Sequence, residues 1–307
     1  ILPTQSIVNP LLYSEHNSLN LNSRGGSPKL YYSGDSFSPS RPLEILQALE
    51  DQGILFKAKF NIISKSGTTG ETIFSYLIYR AYLQERLREL YLEYNTREIS
   101  KEGLGEIGLT VEDITPLTKE QIKAIVKNTL KGIGLEDSEI KEQMNSLKDI
   151  TEDGLYFRTG KFFIATTGFD QNSALFELHH YGKPKDKLNS LKDPYHGTGV
   201  DPYYAILPVP EGMGGRFSGF SAVGLLALVV TANANKNETP ASRIYQAMEG
   251  VSDSLNRMLN NPVDDLANNT ANIAFANAAI NYIAEKKKGI TLLVPYYYDP
   301  VTGRMIP

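Results

Sequence analysis

With 307 residues, 41% of them hydrophobic and 21% charged, the sequence can bury a substantial core in one large domain or two small ones. A formal net charge of −4 excludes a global attraction to nucleic acid or to an anionic membrane surface, so an anionic ligand would have to be held by local groups. The absence of cysteine removes disulfides, thiolate catalysis and cysteine metal sites together, and fits a reducing compartment such as the cytoplasm.

The chain opens on residues rich in Ser, Asn and Gly, read to residue 27 as the tail of a helix and a loop. No charged segment leading into an apolar core marks a signal peptide there, and no initiator Met is present, so a fragment or a processed form is expected. Lys29 to Gly34 reads as a strand ending in a turn. Pro42 to Gln52 carries Leu43, Ile45, Leu46 and Leu49 at helical spacing, with Pro42 in the first turn. Phe60 to Ile63 is short, apolar and β-prone. A helix follows from about 70 to 94, on which Ile73, Leu77 and Ala81 recur at helical spacing with Phe74, Ile78 and Tyr82 alongside. Strand, helix, strand, helix argues for a parallel sheet with right-handed crossovers.

Residues 95–155 change character, being charged and carrying two expected helices. One spans Lys119 to Leu130, with Thr118 and Gln121 as a capping pair, and the other lies near Asp137 to Leu147. Gly103, Gly105 and Gly108 match G-x-G-x-x-G literally. No apolar strand precedes them, so a dinucleotide site is rejected. Lys161 to Thr167 is a strand with a polar end, Ser173 to His179 starts a helix, and 181–202 is loop. Tyr203 to Val209 is a further strand. Helices follow at about 218–234, 241–260 (with Ile244, Met248, Val251 and Leu255 in register) and 263–286, before a last strand at Ile290 to Tyr296. The longest apolar run, Ala222 to Val230, is about half of the ~20 residues that span a bilayer, so it reads as a buried helix and not a membrane anchor. The expected fold is α/β, a three-layer sandwich with a mainly parallel sheet flanked by helices and a mostly helical insertion at 95–155.

The chemistry concentrates between Ser64 and Thr72. A helix N-terminus offers free N–H groups and partial positive charge. Ser64, Ser66, Thr68, Thr69 and Thr72 add hydroxyls and Lys65 adds a full charge, which suits a phosphate. Thr68 with Glu71 fits a capping box. Capping alone would need one or two hydroxyls, not this run. The Lys precedes the Gly, so the segment is not a Walker A loop. A second stretch, Glu211 to Ser218, is Gly-rich and follows a strand. Arg216 there is placed either to stabilise a developing oxyanion or to sit solvated on a turn.

Ser64-Lys65-Ser66-Gly67-Thr68-Thr69, with Glu71 and Thr72, resembles the phosphate loop of sugar isomerase (SIS) domains. Gly214-Gly215-Arg216-Phe217-Ser218, followed by Val223-Gly224-Leu225-Leu226, resembles the signature of phosphoglucose isomerases and lies downstream in that family's order. Leu293-Val294-Pro295-Tyr296 resembles a later strand. The resemblance covers roughly residues 28–90 and 160–300. It implies a single SIS-type domain over 1–307, truncated at both ends. It implies that Ser64, Lys65, Ser66, Thr69 and Thr72 bind a sugar phosphate, and that Gly215 and Arg216 face the reacting carbons. There Arg216 would stabilise a cis-enediolate as glucose 6-phosphate and fructose 6-phosphate interconvert, with no metal or organic cofactor and in a homodimer. The sequence departs from the pattern at Gly70, where the family usually has Thr, and at Ala222 and Ala227, where it has Pro. The family's catalytic base, ring-opening His and C-terminal catalytic Lys match no residue here, including His16, His179, His180 and His196. The alternative is a non-catalytic regulatory SIS domain that binds a sugar phosphate; it would need the loop but not Arg216. An aminosugar synthase would carry two SIS units in tandem, and one is found.

Overall fold

A computed structural model describes residues 2–12, 15–132, 136–138, 140–141, 154–168, 175, 203–210, 212, 215–260, 297–299 and 304–306. They fall into two compact units, Ile1–Pro240 and Ala241–Pro307. The second holds most of a long helix and a short antiparallel ladder, Tyr297–Asp299 with Arg304–Ile306.

The first unit runs α1 (Leu2–Val8), α2 (Ser40–Asp51), β1 (Phe60–Ser64), α3 (Gly70–Thr96), α4 (Lys101–Glu106), α5 (Val111–Ile114), α6 (Lys119–Gly132), α7 (Tyr156–Thr159), β2 (Phe163–Thr167), β3 (Ala205–Pro208) and α8 (Ala222–Val230). The architecture is α/β, mostly helical around a three-stranded parallel sheet in the order β1-β2-β3. Phe60 pairs with Phe163, Ser64 with Thr167, and Thr167 with Pro208. The carboxyl ends of all three strands therefore lie side by side. Among the described residues no helix is long and apolar enough to cross a membrane.

The strand expected at Lys29–Gly34 does not form. Side chains take up some of its backbone groups instead. Asn17 both accepts from the Leu30 N–H at 2.9 Å and donates to the Leu30 carbonyl at 2.6 Å. Arg41 Nε donates to the Tyr32 carbonyl at 3.2 Å. At these three groups side chains stand where ladder partners would.

The face that α3 buries differs from expectation in part: Ile73, Ile78 and Tyr82 pack half-buried against the core. Leu77 is 56% exposed and Ala81 is exposed, whereas Tyr76, Tyr79, Leu83, Leu87 and Leu90 are buried. The helix carries two apolar stripes, and aromatic packing selects between them. Tyr79 meets Phe60 with ring centroids 4.7 Å apart, and Tyr76 meets Phe163 edge-on at 5.1 Å. Full burial of Leu83 and Leu87 is worth about 1.5–3 kcal/mol each. Leu104, Leu109, Ile114 and Leu155 join this same cluster, so α4 and α5 share its core. Arg80 fastens α3 to α7: its guanidinium stacks 3.5 Å from the Tyr156 ring and donates to the Tyr156 carbonyl at 2.7 Å.

Thr118 and Gln121 form the reciprocal cap at α6, at 3.2 and 2.8 Å. Gly103 and Gly105 are helical residues of α4, which agrees with rejecting a dinucleotide loop there. Lys161 Nζ pairs with Asp113 at 2.7 Å, linking α5 to the residues that lead into β2. Burial pushes the Asp113 carboxyl up, but bonds from Lys161 and Thr110 outweigh it and hold the group below its ordinary value. The helix expected near Asp137–Leu147 lies largely outside the described residues. So do the helix at 173–179, the loop at 181–202, the helix at 263–286 and the strand at 290–296.

Candidate functional site

β1 delivers the chain to the carboxyl edge of the sheet at Ser64, and α3 carries it away from Gly70. The five intervening residues, 65 to 69, make the loop. Ser64 is 3% exposed, and its hydroxyl is engaged internally. It donates to Thr69 Oγ1 at 2.9 Å and accepts from the Thr69 N–H at 3.4 Å. Gly67 N–H donates back to the Ser64 carbonyl at 3.2 Å, closing a turn. Ser66 accepts from the Thr68 hydroxyl at 2.8 Å and the Thr68 N–H at 3.2 Å. Ser66, Thr68 and Thr69 are exposed, while Lys65 and Thr72 are half-buried.

The expected Thr68–Glu71 capping box is absent. The N-cap is Thr69, in extended conformation, with no capping bond from its side chain. The hydroxyls explain why: Thr68 turns to Ser66, and Thr69 Oγ1 accepts from the Ser64 hydroxyl. The N-terminus of this 27-residue helix therefore keeps its first N–H groups uncapped by side chain, beside a cluster of exposed hydroxyls. Gly70 has the Phe37 ring over it, and a Cβ there would stand 2.8 Å from the ring tip. A Thr at Gly70 would need that ring to move aside. The ring is 61% exposed and packs edge-on against Phe74 at 6.0 Å.

Two residues that sequence reasoning passed over hold the loop from the neighbouring strand. Thr167, fully buried at the end of β2, donates its hydroxyl to the Ser64 carbonyl at 2.6 Å. Gly168 N–H donates to the Lys65 carbonyl at 2.9 Å. The available signal was the polar end of an otherwise apolar strand, Thr166-Thr167-Gly168.

The second sequence motif leaves from the same edge of the sheet. After β3, Gly215 and Arg216 open a short 3₁₀ helix, Gly215–Phe220. The side chains of 215–217 lie outside the described residues. The following helix starts later than expected: Ser221, not a residue near Ser218, is its N-cap, accepting from Val223 N–H at 3.3 Å. The Ser221 hydroxyl also donates to the Ser218 carbonyl at 2.6 Å, which joins the 3₁₀ turn to α8. Thr4 of α1 donates to the Val223 carbonyl at 2.8 Å, so the N-terminal helix braces this segment. α8 buries Val223, Gly224 and Leu228, leaves the residues between them half-buried and exposes Val230 at its end, so the apolar run is largely but not fully buried.

Among the described residues no group of three or more His, Cys, Asp or Glu side chains is placed to hold a metal ion. No family model matches the sequence, and no solved structure matches it. A stretch of 85 residues is 32% identical to a glucose-6-phosphate isomerase of Symbiobacterium thermophilum, covering 28% of this chain and 18% of that protein. The relationship is thus to less than a fifth of that enzyme's length.

Proposed function

We propose that the chain is an SIS-type sugar-phosphate-binding domain of an aldose–ketose isomerase that interconverts glucose 6-phosphate and fructose 6-phosphate. The observation that carries this reading is the hydroxyl-rich loop between the carboxyl end of β1 and the N-terminus of α3. The 85-residue similarity to an enzyme of that name supports it. Parallel α/β sheets bind ligands outside the carboxyl ends of their strands, where this loop lies.

In this reading Lys65, Ser66, Thr69 and Thr72 hold the phosphate, with the uncapped N–H groups of α3 behind them. Ser64 belongs to the same site as the buried hydroxyl that orders Thr69. Gly215 and Arg216 approach the reacting carbons, where a guanidinium would stabilise the enediolate oxyanion as the proton moves between C2 and C1. Such electrostatic stabilisation requires no cofactor. The domain extends over residues 1–307 as one SIS-type sandwich with 95–155 inserted, and functions as a homodimer.

Calorimetric titration of the chain with fructose 6-phosphate, against unphosphorylated fructose, tests the reading. Binding that requires the phosphate is expected. Equal binding of both sugars, or of neither, would remove the phosphate-loop assignment.

A further inference from the structure

We propose that Thr167 is a positioning residue for the sugar-phosphate loop, tying it to the exit of β3 from which the Arg216 segment departs. The inference rests on the function proposed above and adds a residue outside both sequence motifs. Three bonds meet at this one stretch of chain. The Thr167 hydroxyl donates to the Ser64 carbonyl at 2.6 Å. The Thr167 carbonyl accepts from the Val209 N–H at 2.8 Å. The next residue, Gly168, donates its N–H to the Lys65 carbonyl at 2.9 Å. Ser64 in turn holds Thr69 through its own hydroxyl.

The carbonyls of the first two loop-side residues are thus fixed from β2, and so is the first residue beyond β3. Thr167 is fully buried, so its hydroxyl touches no ligand and acts through the Ser64 carbonyl and, at 3.4 Å, the Lys65 carbonyl. Gly168 has room for no side chain, because a Cβ would stand 2.8 Å from the Lys65 carbonyl oxygen. A buried carbonyl that loses its donor is left partly unsatisfied, and the loop shifts to find water. The geometry at Thr69 shifts with it.

The test is calorimetric titration of fructose 6-phosphate into the full chain and three variants. Thr167→Val removes the hydroxyl at nearly constant volume, and Thr167→Ser restores it. Thr159→Val is the control: Thr159 is also fully buried and also donates to a carbonyl, that of Tyr156 at 2.8 Å, but it precedes the amino end of β2, whereas the loop lies at the carboxyl end. Thr167→Val should weaken binding by about tenfold, while Thr167→Ser and Thr159→Val stay within about twofold of the unaltered chain. Gly168→Ala gives the second reading should Thr167→Val not fold, and should weaken binding to a similar degree. Equal loss in Thr167→Val and Thr159→Val would show a purely structural role and overturn the inference. Unchanged binding in both Thr167→Val and Gly168→Ala would overturn it while leaving the proposed function standing. Absence of phosphate-dependent binding by the unaltered chain would remove the function and this inference together.

Discussion

Replacing Ser64 by Ala is the most informative perturbation of the loop, because the structure assigns its hydroxyl to Thr69 and not to solvent. The side chain is 3% exposed and makes two bonds, a 2.9 Å bond to Thr69 Oγ1 and a 3.4 Å bond from the Thr69 N–H. A well-formed neutral hydrogen bond contributes about 1 kcal/mol net, and one stretched to the limit contributes a few tenths. Ser64→Ala should therefore lower stability by about 1–1.5 kcal/mol, read from urea unfolding followed by circular dichroism. If Ser64 acts on ligand only by holding Thr69, the two residues form one unit. Ser64→Ala, Thr69→Ala and the double variant should then weaken fructose 6-phosphate binding by comparable factors, with a coupling energy of about 0.5–1 kcal/mol in the double-mutant cycle. Strictly additive losses, or a binding loss in Ser64→Ala with no loss of stability, would refute this and place Ser64 in direct contact with the phosphate.

Three further outcomes are expected. Leu83→Ala should destabilise the first unit by about 2–5 kcal/mol, since Leu83 is fully buried; a loss below about 1 kcal/mol in urea unfolding would mean that α3 packs through its other stripe. Asp113→Asn should reduce stability at neutral pH. A depressed carboxyl stabilises the fold above its unfolded pKa, about 3.9, and this contribution disappears as pH falls through the lower folded value. The two stability–pH curves should therefore converge below about pH 4, and parallel curves down to pH 2 would contradict the assignment. In an active isomerase containing this chain, Arg216→Ala should lower kcat more than it weakens substrate binding. A rise in KM alone would make Arg216 a ground-state contact.

Much of the site was legible locally. β1 and α3 follow from a short apolar run, a polar loop and a long run of helix-forming residues, because strand, turn and helix preferences are written in neighbouring residues. The cap at Thr118 and Gln121 was readable for the same reason. The Lys29–Gly34 strand failed because its composition is β-prone, yet a strand exists only where a partner supplies a ladder, and Asn17 and Arg41 satisfied its backbone instead. Ser221 displaced the start of α8 because a serine able to cap stands at both ends of a 3₁₀ turn, and only the packed backbone chose between them.

The sequence by itself determined the chemical character of the loop, its place between a strand and a helix, and the order of the two motifs along the chain. Tertiary structure alone decided which stripe of α3 is buried, since two stripes were comparably apolar and the rings of Phe60 and Phe163 selected the one bearing Tyr76 and Tyr79. It alone decided that the Ser64 hydroxyl points inward and that Phe37 covers Gly70. It also brought Thr167 to the Ser64 carbonyl across 103 residues of chain. Parallel pairing joins residues far apart in sequence, so the bonds that hold this loop have no local signature.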